Sequence, residues 1–303
     1  MTSFELPTRS GAYRWYYLDV VAGDFTAVCI FMVGSVFSAR YSASLQEGAA
    51  PSEHAAVNFA LYEKGARSVW VLSEYRGALL SDDGRTLRIG KSWLTYDGGR
   101  LAGEVRDRTT PFLLTQWGEP AHVSFELEPE GPPHPELRLV DGLSHHWRPI
   151  AARARARVQL HSHGLAFRGA AYHDGNHGEV PLGSDLRGWE WARVHEACAT
   201  AITYRPWGAP AALVRVSASE ATCRREILGE PASVRSSWGL QVPRSLGVSA
   251  RPRSLESAPF YARLEASWGD VHALGEVADF RRFHHPAIRW MANFRTRAGG
   301  AAW

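Results

Sequence analysis

Residues 172–179, with the sequence Tyr-His-Asp-Gly-Asn-His-Gly-Glu, carry more reactive side-chain types than any other stretch of the chain. Imidazole and carboxylate groups are metal ligands, so the segment is a candidate metal site. It is also a candidate acid centre, because burial among aromatic rings raises the pKa of an aspartate and lets it donate a proton near neutral pH. An aspartate before glycine more often belongs to a turn and bonds its own backbone. Taken by itself, the spacing favours the turn.

The histidines are concentrated in the same part of the sequence. Seven of the thirteen lie between positions 145 and 195. His161 and His163 would share one face of a strand, as a metal site on a β-barrel requires. No carboxylate follows them at the usual short spacing, and the neighbours His145 and His146 would point to opposite faces of a strand. We therefore expect neither a metal ion nor another cofactor.

Two further patterns are interpreted as structural. Cys198 lies in an apolar, strand-like stretch, which indicates an inert buried thiol, and no serine sits in a strained turn between glycines. Arginines at 153, 155 and 157 alternate with alanine, so they share one face of a strand. A solvated face is the expected role of such a charge run.

The composition is that of a globular protein. The 303 residues are 45% hydrophobic and 21% charged, and a net charge of +3 with scattered arginines argues against a nucleic-acid partner. Twelve tryptophans against three methionines suit either a pocket for a long apolar ligand or a β-sandwich core. Three widely spaced cysteines, a polar N-terminus and a longest apolar run of only 25–37 predict a cytoplasmic protein.

Strands must position these side chains, because period-2 patterns dominate the chain. In residues 188–196, one face would carry Trp189, Trp191, Arg193 and His195. Turn signals at 82–85 and 96–100 separate further strand candidates. The sequence predicts an all-β protein of two antiparallel barrels or sandwiches, over residues 1–160 and 161–303, with the active site near their junction. A short helical segment, interrupted near Pro286, is expected within 279–298.

Several blocks in the right order resemble the carotenoid 1,2-hydratase family, also called hydroxyneurosporene synthases. They are the Gly-Ala-Tyr-Arg-Trp opening and Gly-Ser-Val-Phe-Ser strand end within 11–41, residues 54–63, the His-x-Trp and arginine-rich block 145–158, the Tyr-x-Asp-x-Asn-x-Gly signature at 172–178, residues 187–194 and residues 254–263. The blocks extend from residue 11 to about residue 263, which is most of the chain.

The resemblance implies two lipocalin-like β domains and a cofactor-free enzyme that adds water to the terminal 1,2 double bond of acyclic carotenoids. The family's catalytic residues correspond to His145, Trp147, Tyr172 and Asp174. We expect Asp174 to protonate carbon 2, and Trp147 and Tyr172 to face the tertiary cation at carbon 1. His145 would hydrogen-bond Asp174, or orient and deprotonate the attacking water.

Four more residues are predicted to bind substrate. Asn176 would hold the turn or the water, and Trp189 and Trp191 would line a tunnel for a long apolar polyene, although core packing suits these tryptophans equally well. His177 stands where the family usually has tryptophan, which implies an altered wall of the site.

Three functions remain open from the sequence: the hydratase, a related acid-catalysed cyclase or isomerase acting on another isoprenoid or polyketide, and a non-catalytic carrier of an apolar ligand. The basic, aromatic tail 279–298 is either a helix packed on its own barrel or a peripheral contact with the inner or intracytoplasmic membrane.

Overall fold

A computed structural model describes residues 3–110, 118–228, 235–243, 246, 252–294 and 296–298. Most of these residues form two sheets, whose neighbouring strands are antiparallel apart from one parallel pair. The first sheet contains thirteen strands: β1 (Tyr13–Ala22), β2 (Phe25–Val33), β3 (Ala55–Glu63), β4 (Ala66–Tyr75), β5 (Ala78–Leu80), β6 (Thr86–Ile89), β7 (Ser92–Asp97), β8 (Arg100–Arg108), β9 (Pro120–Pro129), β10 (Leu137–Arg138), β11 (His146–Leu160), β12 (Leu165–Gly178) and β20 (Arg297–Ala298).

The order of strands across this sheet is β20-β4-β3-β2-β1-β12-β11-β9-β8-β7-β6-β5, and β10 pairs with β11. Distant strands touch, because the Tyr75 hydroxyl of β4 donates to Asp107 Oδ2 of β8 over 2.9 Å. The Leu72 amide likewise donates to Thr110 Oγ1 over 2.9 Å. The sheet is therefore curled around a core that includes Phe31, Phe59, Leu94 and Phe125.

β1 shows why this sheet has two apolar faces. Tyr16 and Leu18 pack inside the curl, whereas Trp15 and Tyr17 face outward into a second cluster of buried residues. Successive side chains of a strand point to opposite faces, so a strand covered on both sides is apolar throughout. The outer face of β1 is thus available to build a site against a second layer.

The second sheet provides that layer. Its strands are β13 (Gly188–His195), β14 (Ala199–Pro206), β15 (Ala211–Ser217), β16 (Ala221–Glu226), β17 (Arg253–Ser257), β18 (Tyr261–Trp268) and β19 (Val271–Asp279). They are ordered β16-β15-β14-β13-β19-β18-β17. The cluster between the sheets contains Trp147, Tyr172, Trp189 and Trp191, all buried.

Three α-helices complete the described chain: α1 (Ala39–Ser44), α2 (Phe280–Phe283) and α3 (Pro286–Phe294). The predicted interruption near Pro286 is confirmed, because α2 ends before this proline and α3 begins at it. Proline suits the first turn of a helix, where its missing N–H is not needed. None of the described helices is long and apolar enough to cross a membrane.

The predicted all-β, lipocalin-like fold is confirmed. The turn interpretation of 172–179 is wrong, because residues up to Gly178 lie within β12, paired with β1 on one side and β11 on the other. The two neighbouring strands satisfy backbone groups that a local turn would otherwise bond. β11 and β12 belong to one sheet, and the change of sheet falls between Gly178 and Gly188.

Three smaller expectations have mixed outcomes. His161 and His163 lie in an exposed 3-10 turn, so they do not share a strand face as expected. Cys198 is exposed, because it precedes β14 in a surface connection, and the expectation of a buried thiol is wrong. Arg155 and Arg157 are exposed, as expected for a solvated face. The expectation is wrong for Arg153, which is half-buried and donates to the carbonyl oxygens of Glu196 and Ala197.

Candidate active site

A buried carboxyl group lies at the centre of the interface between the sheets. Asp174 is 3% exposed and shares one face of β12 with Tyr172 and Asn176. Its Oδ2 accepts hydrogen bonds from Tyr172 Oη over 2.6 Å and from Trp147 Nε1 over 2.9 Å. Its Oδ1 accepts one from Asn176 Nδ2 over 3.0 Å. Trp147, Tyr172 and Asn176, all predicted site residues, therefore directly orient Asp174.

Burial raises the pKa of Asp174 from 3.8 to about 7. The hydrogen bonds from Tyr172 and Trp147 oppose this rise, because they favour the ionised form. The negative charges of Glu276 and Asp19 add to it. Near neutral pH, a substantial fraction of Asp174 is consequently protonated and able to donate.

His145 belongs to the same aromatic cluster but does not contact the acid. Its Nδ1 lies 2.7 Å from Tyr13 Oη, and its Nε2 lies 3.0 Å from Tyr204 Oη. Burial lowers the pKa of His145 to about 3, so the ring is neutral. The expected hydrogen bond between His145 and Asp174 is wrong, because both ring nitrogens are already engaged with tyrosines.

A chamber of about 20 Å³ lies in front of the carboxyl group. Its walls are Trp15, Tyr17, Asp174, Asn176, Trp189, Trp191, Tyr204 and Glu276. A space of this size holds about one water molecule. Sequence reasoning missed Glu276, since it lies in β19, about a hundred positions from the signature, and only its pairing with Trp191 of β13 brings it here.

An apolar channel of about 400 Å³ adjoins the chamber, and Trp15, Tyr17, Trp189 and Glu276 line both spaces. Further along, its walls are mainly aliphatic and aromatic, including Ile30, Met32, Phe37, Trp70 and Leu72. Ile288, Met291 and Ala292 of α3 also line it. The acid therefore lies beside a large apolar space, an arrangement suited to a hydrocarbon substrate.

His177 points away from both spaces. It follows Asn176 in β12, so its side chain lies on the opposite face, where its ring centroid is 4.7 Å from that of His146. Its Nδ1 is 3.6 Å from Glu136 Oε2. Ligand atoms of Glu136, His146 and His177 lie within 4.8 Å of one another, which is the one such group found among the described residues.

Replacing Trp147 by phenylalanine is expected to raise the pKa of Asp174 above about 7. The ring remains, but the indole N–H that favours the carboxylate is lost. Infrared spectroscopy of the protonated carboxyl band across a pH series measures this directly. Trp93→Phe is the matched control, because Trp93 donates its indole N–H to Glu104 over 3.0 Å on another part of the sheet. An unchanged or lower midpoint for Trp147→Phe would contradict the assigned role.

Solved structures of similar fold define the class as two-sheet, lipocalin-like β proteins. An AttH candidate from Nitrosomonas europaea superimposes with a TM-score of 0.56 at 13% identity, over 88% of this chain and 92% of its own. Kievitone hydratase from Nectria haematococca superimposes with a TM-score of 0.51 at 10% identity, over 90% of each chain. At these identities the likeness concerns the fold.

Sequence comparison defines the family. The family model described as carotenoid hydratase CrtC matches residues 29–300. The acyclic carotenoid 1,2-hydratase of Thiocapsa roseopersicina is 33% identical over 98% of this chain and 76% of its own length. The acyclic carotenoid 1,2-hydratase of Cereibacter sphaeroides is 31% identical over 88% of this chain and 96% of its own length. The chain belongs to the carotenoid hydratase family, which confirms the predicted resemblance and the prediction of a hydratase-type enzyme.

Proposed function

We propose that this enzyme adds water to the terminal 1,2 double bond of acyclic carotenoids of the neurosporene or lycopene type, and that Asp174 supplies the proton. The observation that carries this proposal is a carboxyl group whose pKa burial raises to about 7, placed in a small chamber that adjoins an apolar channel. The names of the relatives from Thiocapsa roseopersicina and Cereibacter sphaeroides agree with this substrate class.

The first step transfers a proton from Asp174 to carbon 2, which leaves a tertiary cation at carbon 1. Oδ2 accepts two hydrogen bonds and Oδ1 accepts only one, from Asn176, so the proton to be donated is placed on Oδ1. Trp147 and Tyr172 then stabilise the carboxylate left behind, since their donors remain in place. In this structure neither of them lines the chamber, in contrast to the expectation that they face the cation.

Other rings take the role of facing the cation. Trp15, Trp189 and Trp191 line the chamber, and the centroids of Trp15 and Trp189 are 5.6 Å apart. Each face that meets the cation contributes about 0.5–2 kcal/mol. His145, placed behind them and bonded to Tyr204, holds one wall of the chamber. Its role in this proposal is to position that tyrosine.

Incubation with neurosporene and with lycopene, under anaerobic and metal-free conditions, tests the proposed function. We expect products heavier than the substrate by one water, identified by mass spectrometry as tertiary alcohols. A cyclised or isomerised product of unchanged mass would replace the hydratase with the cyclase or isomerase alternative. Tight binding with no conversion would instead indicate a carrier.

We also propose that α3 is the site of peripheral contact with the membrane that dissolves the substrate. Ile288 and Met291 of this helix line the channel, while Trp290 beside them is 64% exposed. Tryptophan partitions to the headgroup region of bilayers. The expected contact thus lies where the substrate would enter. From the same tail, Phe280 and Phe283 of α2 are buried against the protein, and Arg295 lies outside the described residues.

Trp290→Glu is expected to reduce vesicle binding several-fold, because a charge replaces the interfacial ring. Flotation with vesicles that contain an anionic lipid measures it. Leu79→Glu is the matched control, since Leu79 is also exposed, at 49%, but lies on β5 at the edge of the first sheet. Equal flotation of the two variants, or no flotation of the unmodified protein, would contradict the contact.

A further inference from the structure

We propose that Glu276 is the general base of the reaction, and that the chamber it lines with Asn176 binds the attacking water. This inference rests on the proposed hydration and adds a catalytic residue to it. It assigns the two proton transfers to two different carboxyl groups, one from each sheet.

Unsatisfied polar atoms point to a water in the chamber. Asn176 Oδ1, Tyr17 Oη and Trp191 Nε1 are buried. Their neighbours His145, Asp19 and Tyr172 lie close by but outside normal hydrogen-bond geometry, so none of the three atoms has a well-formed bond. All three residues line the chamber of about 20 Å³. A buried polar atom without a partner is costly, and a buried water usually makes two to four hydrogen bonds. One water in the chamber has suitable partners among these atoms.

The two carboxyl groups have opposite surroundings. Glu276 Oε1 accepts a hydrogen bond from Arg263 Nε over 2.8 Å. Although burial alone would lower the pKa of Arg263, its neighbours Tyr261, Tyr62, Glu276 and Glu256 raise it, so the guanidinium stays charged. Glu276 is therefore paired with a charged guanidinium, whereas Asp174 contacts only neutral donors. Environments that separate two carboxyl groups in this way assign one as acid and the other as base.

The charge of Glu276 also acts on Asp174. A negative charge nearby disfavours a second one, and Glu276 is one of the groups that raise the pKa of Asp174 after burial. The same negative charge attracts the tertiary cation that forms beside the chamber. Glu276 thus supports the protonation step before it takes part in the water step.

The steps balance without another reactant. The oxygen of water forms a bond to carbon 1, and the resulting protonated alcohol loses one O–H proton to the Glu276 carboxylate. A protonated alcohol is a strong acid, so a carboxylate paired with arginine is sufficiently basic to accept that proton. Transfer of the proton from Glu276 to the Asp174 carboxylate, through the next water in the chamber, restores both groups.

His145 does not compete for this role. Its two ring nitrogens already face Tyr13 and Tyr204, and it is absent from the residues that line the chamber. The base expected there from sequence is thereby replaced by a residue of the opposite sheet.

The test compares Glu276→Gln with the unmodified enzyme, using lycopene in D₂O. We expect alcohol formation to fall about 100-fold. Deuterium should still enter the recovered hydrocarbon, because Asp174 continues to form the cation. The cation returns to an alkene when a neighbouring carbon gives a proton back to the Asp174 carboxylate. Asp174→Asn should abolish both alcohol and deuterium uptake. The ratio of deuterated hydrocarbon to alcohol therefore separates the two roles.

Glu190→Gln is the matched control. Glu190 is also a buried glutamate paired with an arginine, Arg205, but its side chain lies on the opposite face of β13, one position from the residue paired with Glu276. Its deuterium-to-alcohol ratio should equal that of the unmodified enzyme. Glu276→Asp keeps a charge beside Arg263 and should give an intermediate ratio, which provides a second test if Glu276→Gln fails to fold.

Three results would overturn the inference. They are an undiminished rate of alcohol formation in Glu276→Gln, an equal loss of alcohol and deuterium uptake in a folded Glu276→Gln, and an identical effect of Glu190→Gln. If the unmodified enzyme takes up deuterium from D₂O but forms no alcohol, the proposed hydration is wrong, while the role of Asp174 as the acid is kept. An unmodified enzyme that does neither would remove both assignments.

Discussion

Asp174→Asn is expected to lower the rate of hydration at least about 100-fold and to make the fold more stable at pH 8. The amide keeps the shape of the carboxyl group but has no proton to give. Its oxygen can accept the bonds from Trp147 and Tyr172, and Asn176 can turn its amide so that its own oxygen faces the new NH₂ group. Loss of activity would then not reflect loss of structure.

The gain in stability follows from the direction of the pKa shift. The pKa of Asp174 is about 7 in the folded protein, against an ordinary value of 3.8. The folded state therefore binds the proton more tightly than the unfolded state, and the ionised group destabilises the fold. This penalty is absent below about pH 4, grows as the pH rises, and is complete above about pH 7. It amounts to about 4 kcal/mol, from about 3 pKa units at 1.36 kcal/mol each.

Urea unfolding at pH 4 and pH 8, together with rate measurements, checks both parts. The free energy of unfolding of Asp174→Asn should exceed that of the unmodified enzyme at pH 8, and the difference should shrink at pH 4. Asp97→Asn, at an exposed position on β7, is the control and should change neither quantity. Near-normal activity of Asp174→Asn would remove Asp174 as the acid.

The second large effect concerns the ion pair that joins the two sheets. Arg193 of β13 and Asp19 of β1 are both 0% exposed, and Arg193 Nε donates to Asp19 Oδ1 over 2.9 Å. Arg193→Met should lower the free energy of unfolding by about 3–5 kcal/mol, because it leaves a buried carboxylate without its partner. Urea unfolding at pH 7 measures the loss.

Two further variants define the cause. Arg193→Met combined with Asp19→Leu removes both charges and should recover much of the stability. Arg155→Met breaks an exposed pair with Glu130 and should cost less than about 1 kcal/mol. A double variant as unstable as Arg193→Met would show that packing, and not the unpaired charge, accounts for the loss.

The sequence predicts one wall of the site well and the opposite wall poorly. Tyr172, Asp174 and Asn176 alternate along β12, so strand periodicity, once the segment is known to be a strand, places them on one face. Trp147 reaches them because β11 pairs with β12, and Trp147 stands opposite Asn176. For this wall, the motifs on two neighbouring strands are therefore enough to predict which side chains meet.

No sequence motif marks Glu276 or Arg263 as a site residue. Each is an ordinary charged residue within an alternating strand, and its burial depends on how the second sheet packs against the first. The partners of His145 were missed for the same reason, since Tyr13 and Tyr204 come from different sheets. His177 was wrongly predicted to bind substrate, because it departs from the family pattern. Its side chain lies on the face of β12 that points away from the chamber.

The small size of the chamber has a consequence for which nucleophile can react. A space of about 20 Å³ admits one molecule the size of water and excludes alcohols, thiols and amines. A tertiary cation reacts readily with any of these, so chemistry alone offers little choice among them. Under the proposed mechanism, three tryptophans and two tyrosines select water by steric exclusion. Smaller residues in their place would admit an alcohol, and the same acid would then form ethers.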